Sequence, residues 1–221
     1  MNGGMTLIKP FPKDPAWLVA FLSFCHRRRY DKNVEIIHPG EPADNMSYLI
    51  QGSVAALMED EDQREIVLAY INQGEFIGEM GLFFPQKERR VMVRTRTECH
   101  IAEISYKRLE RLLDTELKEH AKDILFAVGT QLSQRLRKTS QKVGHLAFLD
   151  VTGRIARALL DLCEQPDAMT HPDGMQIRIT RQEIGRLVGC SREMAGRVLK
   201  NLEQERLITV KGKTIVVLGA R

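Results

Sequence analysis

Between Thr180 and Leu218 the side chains able to do chemistry are mostly cationic, and their spacing is helical. Arg192, Glu193, Arg197 and Lys200 fall on the side of a helix that Ala195, Val198, Leu199 and Leu202 leave free. An arginine can bond bidentately to O6 and N7 of guanine, and a glutamate can accept from N4 of cytosine; each good pair discriminates by roughly 1 to 3 kcal/mol. Lys200 and Arg181 suit phosphates, with Ser191 and Gln182 as neutral donors. A second group stands earlier in the chain. Gly78-Glu79-Met80-Gly81-Leu82 is followed after a short loop by Glu88-Arg89-Arg90. Two glycines allow a tight turn whose N–H groups approach an anion, a carboxylate can accept from a sugar hydroxyl, and an arginine can clamp phosphate oxygens. By chemistry alone this group fits either a sugar-phosphate site or an ordinary turn beside a surface arginine.

The elements that must position the first group are legible. Thr180-Arg181-Gln182-Glu183 is a capping box at a helix start, and Ile184, Leu187 and Val188 give that helix one apolar face. Gly189-Cys190 makes a turn and Ser191 caps a second helix, whose first-turn residues are the ones that enter a major groove. Residues 207 to 217 read as a hairpin with Lys211 and Lys213 in its turn, which is a wing. The net charge agrees by position. The whole chain is only +4, but from Gln176 to Arg221 ten Lys and Arg face four Glu, a surplus of +6, leaving 23 basic against 25 acidic residues elsewhere.

From about Asn33 to Ile104, short apolar runs cut by turns such as His38-Pro39-Gly40 and Asn72-Gln73-Gly74 predict an antiparallel roll. From Tyr106 the period lengthens. Ile124, Val128, Leu132 and Leu136 predict a long helix running to about Val143, flanked by Gln134, Arg135, Arg137 and Lys138. Its apolar seam calls for a second copy of the chain, or for packing within the same chain. Thr152 to Cys163 is amphipathic, Gln165 to Gly174 is a polar loop, and Gln176 to Ile179 is a short strand. The expected fold is α+β: a β-roll over residues 1–117, a long dimerisation helix over 118–147 and a winged helix-turn-helix over 148–221.

Other classes fall away. No apolar run reaches the roughly 18 to 20 residues of a membrane span, and Met1 to Lys13 lacks a signal peptide's apolar core, so a cytoplasmic protein is expected. Cys25, Cys99, Cys163 and Cys190 stand far apart, which suggests reduced structural thiols rather than a disulfide, zinc or iron–sulfur framework. The histidines show no metal-ligand spacing, and no catalytic pair is evident; neither an enzyme, a metal nor a cofactor is expected.

The order of these parts resembles the bacterial cAMP receptor protein (catabolite activator protein) family. The residues that carry the likeness are Gly-Glu-Phe-Ile-Gly-Glu-Met-Gly-Leu-Phe at 74 to 83, Ala-Glu-Ile-Ser-Tyr-Lys at 102 to 107, Leu-Ala-Phe-Leu-Asp-Val-Thr-Gly-Arg-Ile-Ala at 146 to 156 and Ile-Thr-Arg-Gln-Glu-Ile-Gly at 179 to 185. The resemblance implies a homodimeric transcription regulator that binds a cyclic nucleotide as allosteric ligand and double-stranded DNA at palindromes of TGTGA-like half-sites. It places Gly78 and Glu79 on a ribose, Arg89 on the cyclic phosphate, and Thr139 and Ser140 at the purine, Ser140 from the partner. It assigns base reading to Arg192, Glu193 and Arg197, and backbone contacts to Thr152, Arg181, Gln182, Ser191 and Lys200. Ala168, Thr170, His171 and Gly174 would touch RNA polymerase. A second polymerase surface would include His26 and Glu103, beside which the pattern is altered at Arg27 to Arg29 and Arg108.

One position departs from the cAMP-binding pattern: Arg90 replaces a small serine. A second guanidinium could strengthen an anion clamp, its bulk could exclude cAMP and favour a larger ligand such as cyclic di-GMP, to which a sister branch responds, or its charge could stand in for a ligand; cAMP is favoured because Glu79, Arg89, Thr139 and Ser140 are all present. A cyclic-nucleotide regulatory module of a kinase would share the roll but not the winged motif.

Overall fold

Eight strands form two antiparallel four-stranded sheets in the computed structural model, which describes residues 14–220. They are β1 (His26–Tyr30), β2 (Glu35–Ile37), β3 (Asn45–Gln51), β4 (Ser53–Glu59), β5 (Glu65–Asn72), β6 (Phe76–Ile77), β7 (Met92–Thr95) and β8 (Cys99–Ser105), ordered β1-β8-β3-β6 and β2-β7-β4-β5. Side chains alternate across a strand, and both faces of the first sheet are covered. Leu49, Cys99 and Ile101 point into the roll against Val54, Ile71 and Val93. Met46, Tyr48, Ala102 and Ile104 point outward, under α1 (Ala16–Ser23), α3 (Tyr106–Asp114) and the start of α4 (Ala121–Phe148), and a single-turn α2 (Met80–Phe83) follows β6. Strands covered on both sides read as apolar runs without alternation, as Tyr48-Leu49-Ile50 of β3 does.

Neither β1 nor α1 was legible in the sequence. β1 carries Arg27, Arg28 and Arg29, a sequence without apolar alternation; it pairs with β8 from His26↔Glu103 to Tyr30↔Cys99, and Arg28–Glu103 (3.2 Å) and Arg29–Glu98 (2.7 Å) ion pairs lie along it. Charge on an exposed edge strand also discourages pairing with other chains. α1 is short, and buries Leu18, Phe21 and Leu22 against the roll. The segment Met1 to Lys13, on which the expectation about a signal peptide falls, lies outside the described residues.

The long helix is longer than its apolar stripe suggested, and the stripe divides. α4 follows a short 3-10 turn, Lys118–His120, and ends at Phe148. Residues four apart drift by about 40° around a helix at each step, so three steps carry a residue about a third of the way round. Ile124 and Val128 are accordingly buried on the roll, whereas Leu136 is 69% exposed. The buried row continues instead through Gln131, and the exposed row runs on through Val143 and Leu146.

After a two-residue link, α5 (Val151–Cys163) begins with Asp150 accepting from the Gly153 N–H at 2.8 Å. α6 (Arg181–Val188) and α7 (Arg192–Gln204) follow, beside a sheet ordered β11-β12-β10-β9 from β9 (Met169–His171), β10 (Gly174–Arg178), β11 (Ile208–Lys211) and β12 (Thr214–Leu218). The stretch from Gln165 to Gly174 is therefore more than the polar loop its composition predicted. β9 pairs with β10, a three-residue strand too short and too exposed to leave an alternation in the sequence. Ile155, Leu159, Ile184, Val198, Leu199 and Ile215 share one core with these helices and strands.

The four cysteines are free thiols, and burial pushes the Cys25 thiol up to about 12, the wrong direction for a reactive thiolate. Among the described residues no helix is long and apolar enough to cross a membrane, and no group of His, Cys, Asp and Glu could hold a metal ion.

Candidate functional site

The glycine–glutamate turn and the distant arginine meet in space. Gly78 has φ of +79°, and a Cβ there would stand 2.7 Å from Arg89 Nη1 and 3.1 Å from the Asn45 carbonyl, so only glycine fits both the backbone and the gap. Arg89 is held in place. Its Nη2 donates to the Asn45 carbonyl (2.5 Å) and Oδ1 (2.8 Å), and Nη1 donates to the Tyr106 hydroxyl (3.4 Å). That hydroxyl donates in turn to the Gly78 carbonyl at 2.6 Å. Burial raises the Tyr106 phenol above its ordinary value, against the lowering effect of the Arg89 charge, so it remains a donor at neutral pH. A guanidinium has five N–H donors. Among the described residues Nε and one N–H on Nη1 of Arg89 have no partner, which leaves two separate N–H groups able to donate to an anion.

Glu79 is the most telling side chain. It is 1% exposed; Oε1 pairs with Arg135 Nη1 at 2.5 Å, and Oε2 has no hydrogen-bond partner among the described residues. A buried carboxylate oxygen without a donor costs free energy, and such atoms in native folds call for an explanation; a hydroxyl-bearing ligand supplies one.

In the sequence Arg135 stands with Gln134, Arg137 and Lys138 as a flank of the apolar seam; in the structure it turns in toward the roll instead. Arg135 Nη2 also donates to the Phe76 carbonyl at 2.6 Å, and one turn earlier the buried Gln131 accepts from Phe76 N–H (2.7 Å) and donates to Phe76 O (2.9 Å). Polar Gln131 and Arg135 prolong the buried row of Ile124 and Val128 at three- and four-residue steps, and that continuation was the signal available in the sequence. Asn45 and Tyr106 left no such sign. Thr139 lies one turn beyond Arg135 on the same helix; Thr139 and Ser140 are both exposed, and among the described residues neither hydrogen-bonds to Gly78, Glu79 or Arg89. Arg90 is exposed and makes no ion pair or side-chain hydrogen bond among the described residues.

The C-terminal group is assembled as its spacing predicted. Thr180 Oγ1 accepts from the Glu183 N–H (3.1 Å) while Glu183 accepts from the Thr180 N–H (2.9 Å), a capping box. Gly189 ends α6 in the left-handed conformation, and Ser191 caps α7 by accepting from Met194 N–H at 3.1 Å. Ala195, Val198, Leu199 and Leu202 turn inward, and Arg192, Glu193, Arg197 and Lys200 are exposed, as are Thr152, Arg181, Gln182 and Ser191. Hydrogen bonds from its own backbone N–H and from Ser191 hold the Glu193 carboxyl below the usual carboxylate range, so it is an ionised acceptor at neutral pH. The wing is β11 and β12, tied to α7 where Glu203 accepts from the Val210 N–H at 2.8 Å.

Of the four residues expected at a polymerase surface, Thr170 is exposed on β9, while Ala168 and His171 are half-buried. Gly174 is buried in β10, where a Cβ would stand 2.0 Å from the Val217 carbonyl, so its glycine serves the sheet.

Residues 27–116 match the family model of the cyclic nucleotide-binding domain, and residues 153–220 match that of the Crp-like helix-turn-helix domain. The chain is 57% identical over 203 residues to the cAMP-activated global transcriptional regulator Vfr of Pseudomonas aeruginosa, covering 90% of this chain and 92% of that protein. It is 55% identical to the cAMP-activated global transcriptional regulator CRP of Salmonella typhimurium, over 98% of this chain and all (100%) of that protein. Among solved structures it superposes with a TM-score of 0.87 on the c-di-GMP responsive global regulator CLP of Xanthomonas campestris, at 53% identity, covering 92% of this chain and 98% of that one. With a roll that closes Gly78, Glu79 and Arg89 into one anion-ready cradle and a capped, arginine-faced helix-turn-helix, the chain belongs to the CRP family of cyclic nucleotide-responsive, DNA-binding transcription regulators.

Proposed function

We propose that the chain works as a homodimer that binds cAMP between the roll and α4 and, so loaded, binds TGTGA-like palindromes and recruits RNA polymerase. The observation that carries the ligand half is Glu79: a buried carboxylate oxygen without a donor, on a side chain tied by Arg135 to the helix that leads into the DNA-binding module. A ribose hydroxyl would satisfy Oε2, the free N–H groups of Arg89 would take the cyclic phosphate, and Thr139 and Ser140 would take the purine. Two relatives above 50% identity are named as cAMP-activated, which supports the choice of ligand.

Dimerisation is supported by the second row on α4. Leu125, Gly129, Leu132, Leu136, Thr139, Val143 and Leu146 follow alternating four- and three-residue steps, the seam of a coiled coil, and Leu136 and Val143 are 69% and 60% exposed within one chain. Thr139 lies in that seam and Ser140 beside it, which is where residues shared between a ligand and a partner helix would stand. Thr170 and His171 on the β9 hairpin are the best-placed polymerase contacts; Gly174 would act by shaping that hairpin.

Cyclic di-GMP is the second reading, favoured by the exposed and unpaired Arg90 and by the name of the 53% identical structure. A calorimetric titration of the purified protein with each nucleotide separates the two. Heat with cAMP supports the proposal, heat with cyclic di-GMP alone supports the second reading, and silence with both contradicts ligand control. Arg90→Ser should tighten cAMP roughly 3- to 10-fold, the scale of relieving one crowded contact of about 1 kcal/mol. An unchanged affinity would sink the steric argument.

A further inference from the structure

The link between α4 and α5 is only two residues, Leu149 and Asp150, yet the DNA-binding module does not hang free. It rests on β5, the edge strand of the second sheet. The anchor is Glu65, whose side chain is 12% exposed. Its Oε1 accepts from Arg94 Nη2 at 2.7 Å, and its Oε2 stands 2.9 Å from Nη2 of Arg186 on α6. Arg94 is shared with Glu35, at 2.9 Å. Beside this cluster Leu187 of α6 packs on Ala55, Leu57 and Val67, and Lys142 of α4 donates to the Val67 carbonyl. Further along, Asn72 Nδ2 donates to Gln165 (3.1 Å), and Arg96 reaches from over the Tyr70 ring (3.7 Å) to Asp167 (3.1 Å). Hydrogen bonds from Arg94, then the charges of Arg186 and Arg94, outweigh burial and hold the Glu65 carboxyl below the usual range, so Glu65 is ionised at neutral pH. In this docked arrangement Arg192, Glu193, Arg197 and Lys200 are all exposed.

We propose that Glu65 is a positioning residue for DNA binding: through Arg186 it fixes the helix-turn-helix module against the roll so that the two reading helices of a dimer face half-sites at one spacing. The proposal rests on the reading of the chain as a dimeric operator-binding protein. A module on a two-residue link would otherwise give up orientational freedom each time it docked, at a cost in affinity. The contact leaves the reading face clear, so it favours binding rather than blocking it.

Two physical accounts make opposite forecasts for Glu65→Gln in the full-length protein. As a mere charge change it removes an acid, and binding to polyanionic DNA should tighten slightly. As the loss of a positioning residue it should weaken binding to a palindrome of natural spacing about tenfold, the scale of one charge-assisted hydrogen bond between half-buried partners. It should also shrink the penalty for an operator lengthened by roughly two base pairs, about a fifth of a turn of DNA. Arg186→Lys keeps the charge and should stay near the parent protein in both respects, while Arg186→Glu should behave like Glu65→Gln in its loss of spacing discrimination. Small-angle X-ray scattering without DNA should show a larger maximum dimension for Glu65→Gln. Unchanged or tighter operator binding with intact spacing discrimination, or scattering identical to the parent, would overturn the proposal. A parent protein that bound no palindrome would count against the operator-binding reading instead, and the scattering would still decide the positioning role.

Discussion

Glu79→Gln is expected to weaken cAMP binding by about 10- to 100-fold, the equivalent of losing a hydrogen bond to a charged group of roughly 1.5 to 3 kcal/mol. The substitution keeps the size of a side chain that is 1% exposed, so steric loss is small. It changes what the buried atoms can do. A carboxylate offers acceptors only, one engaged by Arg135 and the other unpartnered; the amide places a donor at one of those two positions, facing either the guanidinium or the ligand hydroxyl. The measurement is calorimetric affinity, with thermal unfolding of the unliganded protein as control. Weak binding together with a melting temperature near that of the parent is the expected pair of results. An unaltered cAMP affinity would mean that the ligand does not meet Glu79.

Arg192→Ala should act at the other end of the molecule and in a different manner. Arg192 opens α7, is exposed, and makes no ion pair among the described residues, so folding should change by no more than about 0.5 kcal/mol. At the operator a lost bidentate contact should cost about 1 to 3 kcal/mol at one base-pair position in each half-site, roughly 5- to 150-fold, and relax preference there. Binding to unrelated DNA should fall much less, because phosphate contacts dominate it. Competition between the palindrome and single-base variants distinguishes these. A uniform loss across all sequences would reassign Arg192 to the phosphate backbone.

What the sequence disclosed about the two groups differs for a physical reason. The helix-turn-helix is built from contacts between near neighbours: a capping box at 180 and 183, a left-handed Gly189, a Ser191 cap and an apolar face on α7, all readable within a window of about 25 residues. The proposed ligand cradle is built from long-range contacts. Gly78, Glu79 and Arg89 were visible as types, but their companions come from residues 45, 106, 131 and 135, which no local period connects. Arg135 was misjudged because an arginine among Gln134, Arg137 and Lys138 looks like a solvated flank; only the drift of the buried row around α4 shows that it faces inward. The same drift split one apparent apolar stripe into a roll-facing row and an exposed seam. β1 and β9 escaped notice because short, charged or exposed strands carry no alternation.

The central claim is that a cyclic nucleotide seated on Glu79 and Arg89 changes how the helix-turn-helix meets DNA. A ligand can shift such a balance only by binding one arrangement better than the other, so its effect must appear as a difference in operator affinity. Fluorescence anisotropy with a TGTGA-type palindrome and with a shuffled duplex, at one fixed salt concentration, with and without cAMP, measures that difference. The expected result is tighter binding to the palindrome when cAMP is present, with the shuffled duplex unmoved. Equal affinity for the palindrome with and without cAMP would contradict it.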